Sequence, residues 1–240
     1  MNSESALPWL TGNPAQINQV LTKHLSPLFG KEEARIISSL LLEEIAGMSG
    51  TEIHFADQPL KAGQLTDLQN AVMRLKAGEP IQYIIGKVDF CSLQILVGPG
   101  VLIPRPETEE LVHWVLEEQN QVKKRVLDLC TGSGCMALGL KKMGNWMSVS
   151  GLDVSEDALK YAHETSLRNG LEVEWIQADL RDELSFDRKF DVIVANPPYV
   201  LEVESAEMAP QVLDFEPHLA LFTPNSDPVY FYSAIGLQAL

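Results

Sequence analysis

What most constrains this chain is an alternation that runs from Arg125 to Ala195. Short apolar, β-prone stretches (Arg125 to Leu129, Trp146 to Leu152, Leu171 to Ile176 and Asp191 to Ala195) take turns with helix-patterned ones, Cys135 to Met143 and Glu156 to Asn169, the latter closed by Gly170. Strands that alternate with helices need crossover connections, so they build βαβ units and a parallel sheet covered by helices on both faces. The expected class is α/β, and in such sheets ligands sit outside the carboxyl ends of the strands.

Two loops fall at those ends. The first, Asp128-Leu-Cys-Thr-Gly-Ser-Gly134, closes one strand and opens a helix. Gly132 and Gly134 let backbone approach a ligand closely, and Asp153, at the end of the next strand, is placed to accept hydrogen bonds from ribose hydroxyls. The plain alternative is a tight strand-to-helix turn with no ligand. The dinucleotide pattern G-x-G-x-x-G is absent and no Lys-Ser or Lys-Thr follows the glycines, which disfavours a pyrophosphate cradle. Asp128 would repel a phosphate but suits a cationic group such as the amino and sulfonium end of S-adenosylmethionine. Asp128, Thr131, Gly132, Gly134 and Asp153 are thus the candidate cofactor contacts of this loop region.

The second loop, Asn196-Pro197-Pro198-Tyr199, follows the apolar strand DVIVA. Both prolines fix φ and lack an N–H, so the loop is a stiff cluster of carbonyl acceptors. An amide or exocyclic amine nitrogen is a weak nucleophile because its lone pair is delocalised. The Asn196 carboxamide oxygen and the Pro197 carbonyl can accept its two hydrogens and stabilise the positive charge that develops as a methyl arrives. Tyr199 can stack on the planar group. Asn196, Pro197 and Tyr199 are the candidate catalytic residues, and these with Pro198 the candidate substrate contacts. The alternative is a rigid turn in which Asn196 caps its own backbone.

Residues 1–79 read as a helical bundle. Asn13 can cap and Pro14 can open a helix carrying Ile17, Val20, Leu21, Leu25 and Leu28. A second helix carries Ala34, Ile37, Leu41 and Ile45 and stops at Gly47. A third starts at a Thr66–Gln69 capping box, carries Leu68, Val72 and Leu75, and stops at Gly78. Residues 80–104 read as a β-hairpin connector, with runs Ile81 to Ile85 and Phe90 to Val97 broken by Gly86 and Gly98. In IPRPETEE, Pro106 opens a helix whose first turn is loaded with Glu107, Glu109 and Glu110, favourable at the positive end of the helix dipole. Residues 105–240 hold the alternating region.

Hydrophobic residues make up 45% of the 240 and charged ones 21%, ordinary for a folded globular protein. No apolar run reaches eighteen residues and the start lacks a basic, apolar leader, so the expected address is the cytoplasm, with no membrane partner. The three cysteines, Cys91, Cys130 and Cys135, are odd in number and form no C-x-x-C pair beside clustered histidines, so neither a disulfide framework nor a metal site is expected. The formal net charge of -15 opposes a phosphate backbone. No Lys or Arg follows Lys189, whereas acids at 202, 204 and 207 form a run that reads as a solvated loop face. Direct nucleic-acid binding is not expected. The five histidines are scattered, and Trp9, Trp114, Trp146 and Trp175 read as packing residues.

Taken together, DLCTGSG, Asp153 and NPPY resemble the class I S-adenosylmethionine-dependent amino-methyltransferases. With PIQYIIG (Pro80 to Gly86), VLIPRPETEELV (Val101 to Val112) and FEPHLALF (Phe215 to Phe222), the chain is similar to the release factor glutamine methyltransferases. The resemblance implies a Rossmann-like class I methyltransferase sheet behind an N-terminal helical bundle that helps hold a peptide chain release factor. It implies methylation of the glutamine of the Gly-Gly-Gln motif at N5. It places Gly132 and Gly134 along the methionine portion of the cofactor, Asp153 at the ribose, Asp179 with Leu180 at the adenine edge, and Phe90 and the Ile103 to Arg105 stretch near the cofactor. Asn196, Pro197 and Tyr199 would hold the amide, with Asn196 also among the cofactor contacts. Arg105 reads otherwise as an exposed arginine at a helix start. Two departures stand out: the family has glycine where Cys130 stands, an expected cost in cofactor affinity, and it continues beyond a helix around Tyr230 to Leu240 through further strands, so a shortened sheet with an open edge is expected. Two other functions stay open, an amino-methyltransferase acting on a flipped nucleobase and a non-catalytic module that binds cofactor or release factor without turnover.

Overall fold

A computed structural model describes residues 10–118 and 123–239; Trp9 lies outside them. The chain divides into two compact units, one ending at Ile85 and one beginning at Gly86.

The first unit is all helical: α1 (Pro14–Phe29), α2 (Lys31–Ala46), α3 (Gly50–Phe55), α4 (Ala62–Lys76) and α5 (Ile81–Ile85). Asn13 caps α1 as expected, its Oδ1 accepting from Gln16 N at 2.9 Å while Gln16 Oε1 accepts from Asn13 N at 3.0 Å, with Pro14 at the first position. Ile17, Leu21, Leu25, Leu41, Leu42, Leu68 and Leu75 fill the core, whereas Leu28 is exposed.

Three features differ from the sequence reading. The α4 helix begins at Ala62, because Gln64 reaches back to Lys61 N at 2.9 Å and satisfies the first turn there; Thr66 lies inside the helix, its hydroxyl donating to Ala62 O. The unforeseen α3 is set by a Ser49–Glu52 capping box. Ile81 to Ile85 is a helical turn rather than a strand: the Pro80 carbonyl accepts from both Tyr83 N and Ile84 N. Five apolar residues fit either period, and the proline carbonyl decides between them.

The second unit opens with an antiparallel hairpin, β1 (Lys87–Phe90) and β2 (Leu93–Leu96), which pair Val88 with Ile95 and Phe90 with Leu93. The two residues between them, Cys91 and Ser92, both have positive φ (49° and 58°), the handedness that a two-residue hairpin demands. Helix α6 (Pro106–Glu118) starts at Pro106. Then come β3 (Arg125–Leu129), α7 (Cys135–Met143), β4 (Ser148–Asp153), α8 (Glu156–Asn169), β5 (Glu174–Gln177) and β6 (Val192–Ala195). These strands form one parallel sheet in the order β5-β4-β3-β6. The order reverses beside β3, the switch point where open α/β sheets leave a crevice. After the second loop come β7 (Val200–Leu201), a 3₁₀ stretch Glu202–Glu207, α9 (Pro210–Phe215), α10 (His218–Leu221), β8 (Phe222–Thr223), parallel to β7, and α11 (Tyr230–Gln238).

Among the described residues β6 pairs on one side only, with β3, leaving an open sheet edge. Phe231, Ala234 and Ile235 of α11 pack with Leu127, Leu129, Leu152 and Leu180 in one apolar cluster. Among the described residues no helix is long and apolar enough to cross a membrane.

Candidate functional site

The carboxyl ends of β3, β4 and β6 open into a cleft of about 1030 Å³, its open mouth included. Its wall joins the loop after β3 (Cys130, Thr131, Gly132), the end of β4 (Leu152, Asp153), the segment after β5 (Asp179, Leu180), and Asn196 and Pro198 after β6. The strap at 100–105 and Pro217, Leu219, Ala220 and Phe231 complete it.

The loop turns on three residues with positive φ: Cys130 (58°), Gly132 (55°) and Gly134 (77°). The two glycines serve different ends. A Cβ on Gly132 would meet nothing within 4 Å and would project into free space, whereas one on Gly134 would lie 2.6 Å from Trp175 Cη2 and 2.8 Å from Ala162 Cβ. Gly132 is the cradle position. Gly134, expected at the ligand, is not part of the cleft wall; it makes room for the Trp175 ring, a packing role invisible in the motif. Cys130 occupies a left-handed conformation that favours glycine, so the departure noted in the sequence carries backbone strain.

Asp128, expected at the cationic end of a ligand, is instead fully buried beneath the loop. Its Oδ2 accepts from Thr131 Oγ1 at 2.5 Å and from Ala137 N at 3.1 Å, pinning β3 to the first turn of α7. Its Oδ1 is buried without a hydrogen-bond partner among the described residues, and burial pushes the carboxyl up to about 7. Asp153 does line the cleft. Its Oδ2 accepts from Gly132 N at 2.7 Å and its Oδ1 from Ser155 N at 2.9 Å, so the carboxylate and the cradle are set against each other. Burial raises its pKa, and backbone N–H donors at Ser155, Gly132 and Val154 oppose the rise. Asp179 lines the cleft with its carboxylate clamped by the Arg181 guanidinium, which holds its pKa below the ordinary value; sequence reasoning missed this partner, two residues away. Leu180 is buried in the wall.

Asn196 lies at the end of β6 with Nδ2 directed at Thr108 Oγ1, 3.4 Å away on α6. Among the described residues its carboxamide oxygen has no hydrogen-bond partner. Pro197 and Pro198 are buried; Pro198 lines the cleft and Pro197 does not. Tyr199 is 60% exposed and also outside the cleft wall, its ring available to an incoming surface rather than packed on the cleft. Phe90, expected close to a cofactor, is buried against α7, with Cε1 3.4 Å from the position of a Cβ on Gly139. The hairpin lays it on the helix, not in the cleft.

Arg105 lines the cleft but is not free. Its Nη2 lies 2.5 Å from Glu216 Oε1, and Glu216 Oε2 accepts from Ile103 N at 3.1 Å. The Glu216 side chain is only 2% exposed. This carboxylate braces the 100–105 strap to the FEPHLALF segment, both of which wall the cleft. The sequence carried the two segments but no sign that they meet, since the partners are 111 residues apart.

Strand order, a glycine cradle at the switch point, an acid at the end of β4 and Asn-Pro-Pro-Tyr at the end of β6 define a class I methyltransferase. Two family models match the chain: Methyltransferase small domain over residues 108–214 and PrmC N-terminal domain over residues 19–86. A release factor glutamine methyltransferase of Bacteroides thetaiotaomicron is 39% identical over 223 residues, covering 92% of this chain and 80% of that one. That of Flavobacterium psychrophilum is 36% identical over 216 residues, covering 88% and 76%. Among solved structures, Pyrococcus abyssi tRNA (uracil-54, C5)-methyltransferase in complex with S-adenosyl-L-homocysteine is 24% identical over 54% of this chain and 30% of its own, with a TM-score of 0.40. The chain belongs to the release factor glutamine methyltransferase family.

Proposed function

We propose that this chain transfers a methyl group from S-adenosylmethionine to the side-chain amide nitrogen, N5, of the glutamine in the Gly-Gly-Gln motif of a peptide chain release factor. The observation that carries this reading is one of register. Leu129 pairs with Ala195 on adjacent strands, so the cradle loop and Asn196 begin side by side, roughly 4.8 Å apart at the strand spacing.

The cleft fits the cofactor: Gly132 borders open space in which a Cβ would meet no protein atom, and the Asp153 carboxylate on the wall suits hydroxyl donors. Asp153 would take the ribose hydroxyls, using the lone pairs that Gly132 N and Ser155 N leave free. The segment Asp179 and Leu180 would cover the adenine edge. The bound cofactor supplies an electrophilic methyl on a sulfonium. Asn196, held through its amino group by Thr108, offers its oxygen to one hydrogen of the glutamine amide, and the Pro197 carbonyl can accept the other. Both contacts strengthen as the nitrogen lone pair forms the N–C bond, and the surplus proton then leaves to water, so no general base is needed. Tyr199 stacks on the amide plane as the substrate docks. The helical unit helps hold the release factor, and the enzyme works in the cytoplasm alongside that substrate.

The test is transfer of labelled methyl to purified release factor, run beside calorimetric binding of S-adenosylhomocysteine. Asn196→Ala is expected to abolish transfer while leaving affinity for the cofactor product within about twofold. Asp153→Ala is expected to weaken that affinity about tenfold or more, the cost of a charge-assisted hydrogen-bond pair. Equal loss of binding in Asn196→Ala would remove its substrate role, and label appearing on bare DNA or RNA but not on release factor would overturn the substrate.

A further inference from the structure

We propose that Cys91, Glu109 and His113, which the methyl transfer does not use, form a binding site for a borderline-soft divalent cation, Zn²⁺ above all. Cys91 comes from the hairpin turn, while Glu109 and His113 sit one helical turn apart on α6, on one face. Each residue offers one ligand atom, and the three atoms lie within 4.8 Å of one another.

The donor set is one sulfur, one carboxylate oxygen and one imidazole nitrogen. Such a mixture suits zinc and disfavours magnesium or calcium, which take oxygen only. Metal–ligand bonds of about 2.0–2.3 Å put tetrahedral ligands roughly 3.3–3.8 Å apart, so the trio has about 1 Å to close. Rotation of the exposed His113 side chain can supply that movement.

Two of the ligands are already fixed relative to each other. Cys91 N donates to Glu109 Oε1 at 2.9 Å, which ties the turn to the helix and leaves the second carboxylate oxygen for the cation. Burial of Cys91 excludes water from the sulfur side, whereas His113 faces solvent and marks the entry path. Cys91 binds as thiolate, its proton passing to solvent as the metal–sulfur bond forms. Three protein ligands leave a fourth position for water. The cation would clasp the hairpin to α6, the helix whose first turn also carries Thr108, the partner of Asn196.

The experiment uses the full chain, stripped with a chelator and titrated with Zn²⁺ against a chromophoric competitor, and in parallel with Co²⁺ followed by absorption. One equivalent per chain and a thiolate-to-cobalt charge-transfer band are expected. Cys91→Ser should abolish the band. His113→Ala, at an exposed position that leaves folding intact, should weaken affinity on the order of tenfold or more. Cys130→Ser and Cys135→Ala should retain both signals. Absence of stoichiometric binding, or binding that survives Cys91→Ser and His113→Ala, would overturn the proposal. Unchanged methyl transfer by metal-free His113→Ala is expected too, so loss of this site and loss of the enzymatic reading remain distinguishable.

Discussion

Replacing each cradle-loop glycine by alanine separates the two jobs that the motif merges. Both positions hold positive φ (55° at Gly132, 77° at Gly134), so each alanine costs about 1–2 kcal/mol of backbone strain. At Gly134 the added methyl also lies 2.6 Å from Trp175 Cη2 and 2.8 Å from Ala162 Cβ, an overpacking cost of about 1–3 kcal/mol. A combined loss of about 3 kcal/mol, at roughly 3 °C per kcal/mol for a chain of this size, lowers the Tm of Gly134→Ala by about 9 °C. Gly132→Ala meets no protein atom, so its Tm falls only by roughly 3–6 °C. Its methyl instead projects into the space proposed for the cofactor, and affinity for S-adenosylhomocysteine should drop at least about tenfold, or ~1.4 kcal/mol. Differential scanning calorimetry and titration calorimetry on both variants give the four numbers. If Gly132→Ala binds within twofold of the parent, the cradle is elsewhere; if Gly134→Ala melts no lower than Gly132→Ala, Trp175 does not constrain the loop.

Three further outcomes are expected. Cys130→Gly relieves a left-handed conformation at φ 58°, and tighter binding of S-adenosylhomocysteine, by up to about tenfold, is expected in titration calorimetry; weaker binding would mean that the side chain itself contacts the ligand. Asp128 carries a raised pKa near 7, so between roughly pH 4 and 7 the folded chain keeps a proton that the unfolded chain releases. Stability therefore falls as pH rises through that window, by up to ~4 kcal/mol. The melting advantage of Asp128→Asn over the parent should then grow from pH 5 to pH 8; parallel melting profiles would refute this. Glu216→Gln leaves one acceptor for Ile103 N but breaks the charge pairing with Arg105, so the strap loosens and KM for S-adenosylmethionine should rise about fivefold, with kcat less affected; an unchanged KM would show that the brace does not shape the cleft.

The parts of this fold that were legible in the sequence are those set by neighbours along the chain. The bounds of α7 and α8 and of β3 follow from helical patterning, the stop at Gly170 and an apolar run, and the structure places them where those signals fall. Asn13 and Pro14 fix the start of α1 in the same way. Illegible were contacts between residues far apart: Trp175 against Gly134, Glu216 against Arg105, and Glu109 under the Cys91 turn. Nothing in a glycine-rich loop tells which glycine spares room for a ligand and which spares room for a ring. Asp128 shows the same limit from the charge side. An acid at the end of a strand reads as a contact for a cation, yet here its burial raises its pKa and turns it into a brace.

That brace bears on function through register. The in-register pairing of Leu129 with Ala195 starts the cradle loop and Asn196 one strand spacing apart, and Asp128 pins the loop to α7 so that it cannot drift from that position. A slip of one residue between β3 and β6 would move Asn196 by about 3.3 Å along the strand and turn its side chain to the opposite face. Methyl transfer needs nucleophile and methyl held within an ångström or so of their reacting separation. The packing that fixes this register, Val126, Leu127 and Leu129 buried in the middle of the sheet, therefore acts on the reaction without touching either reactant.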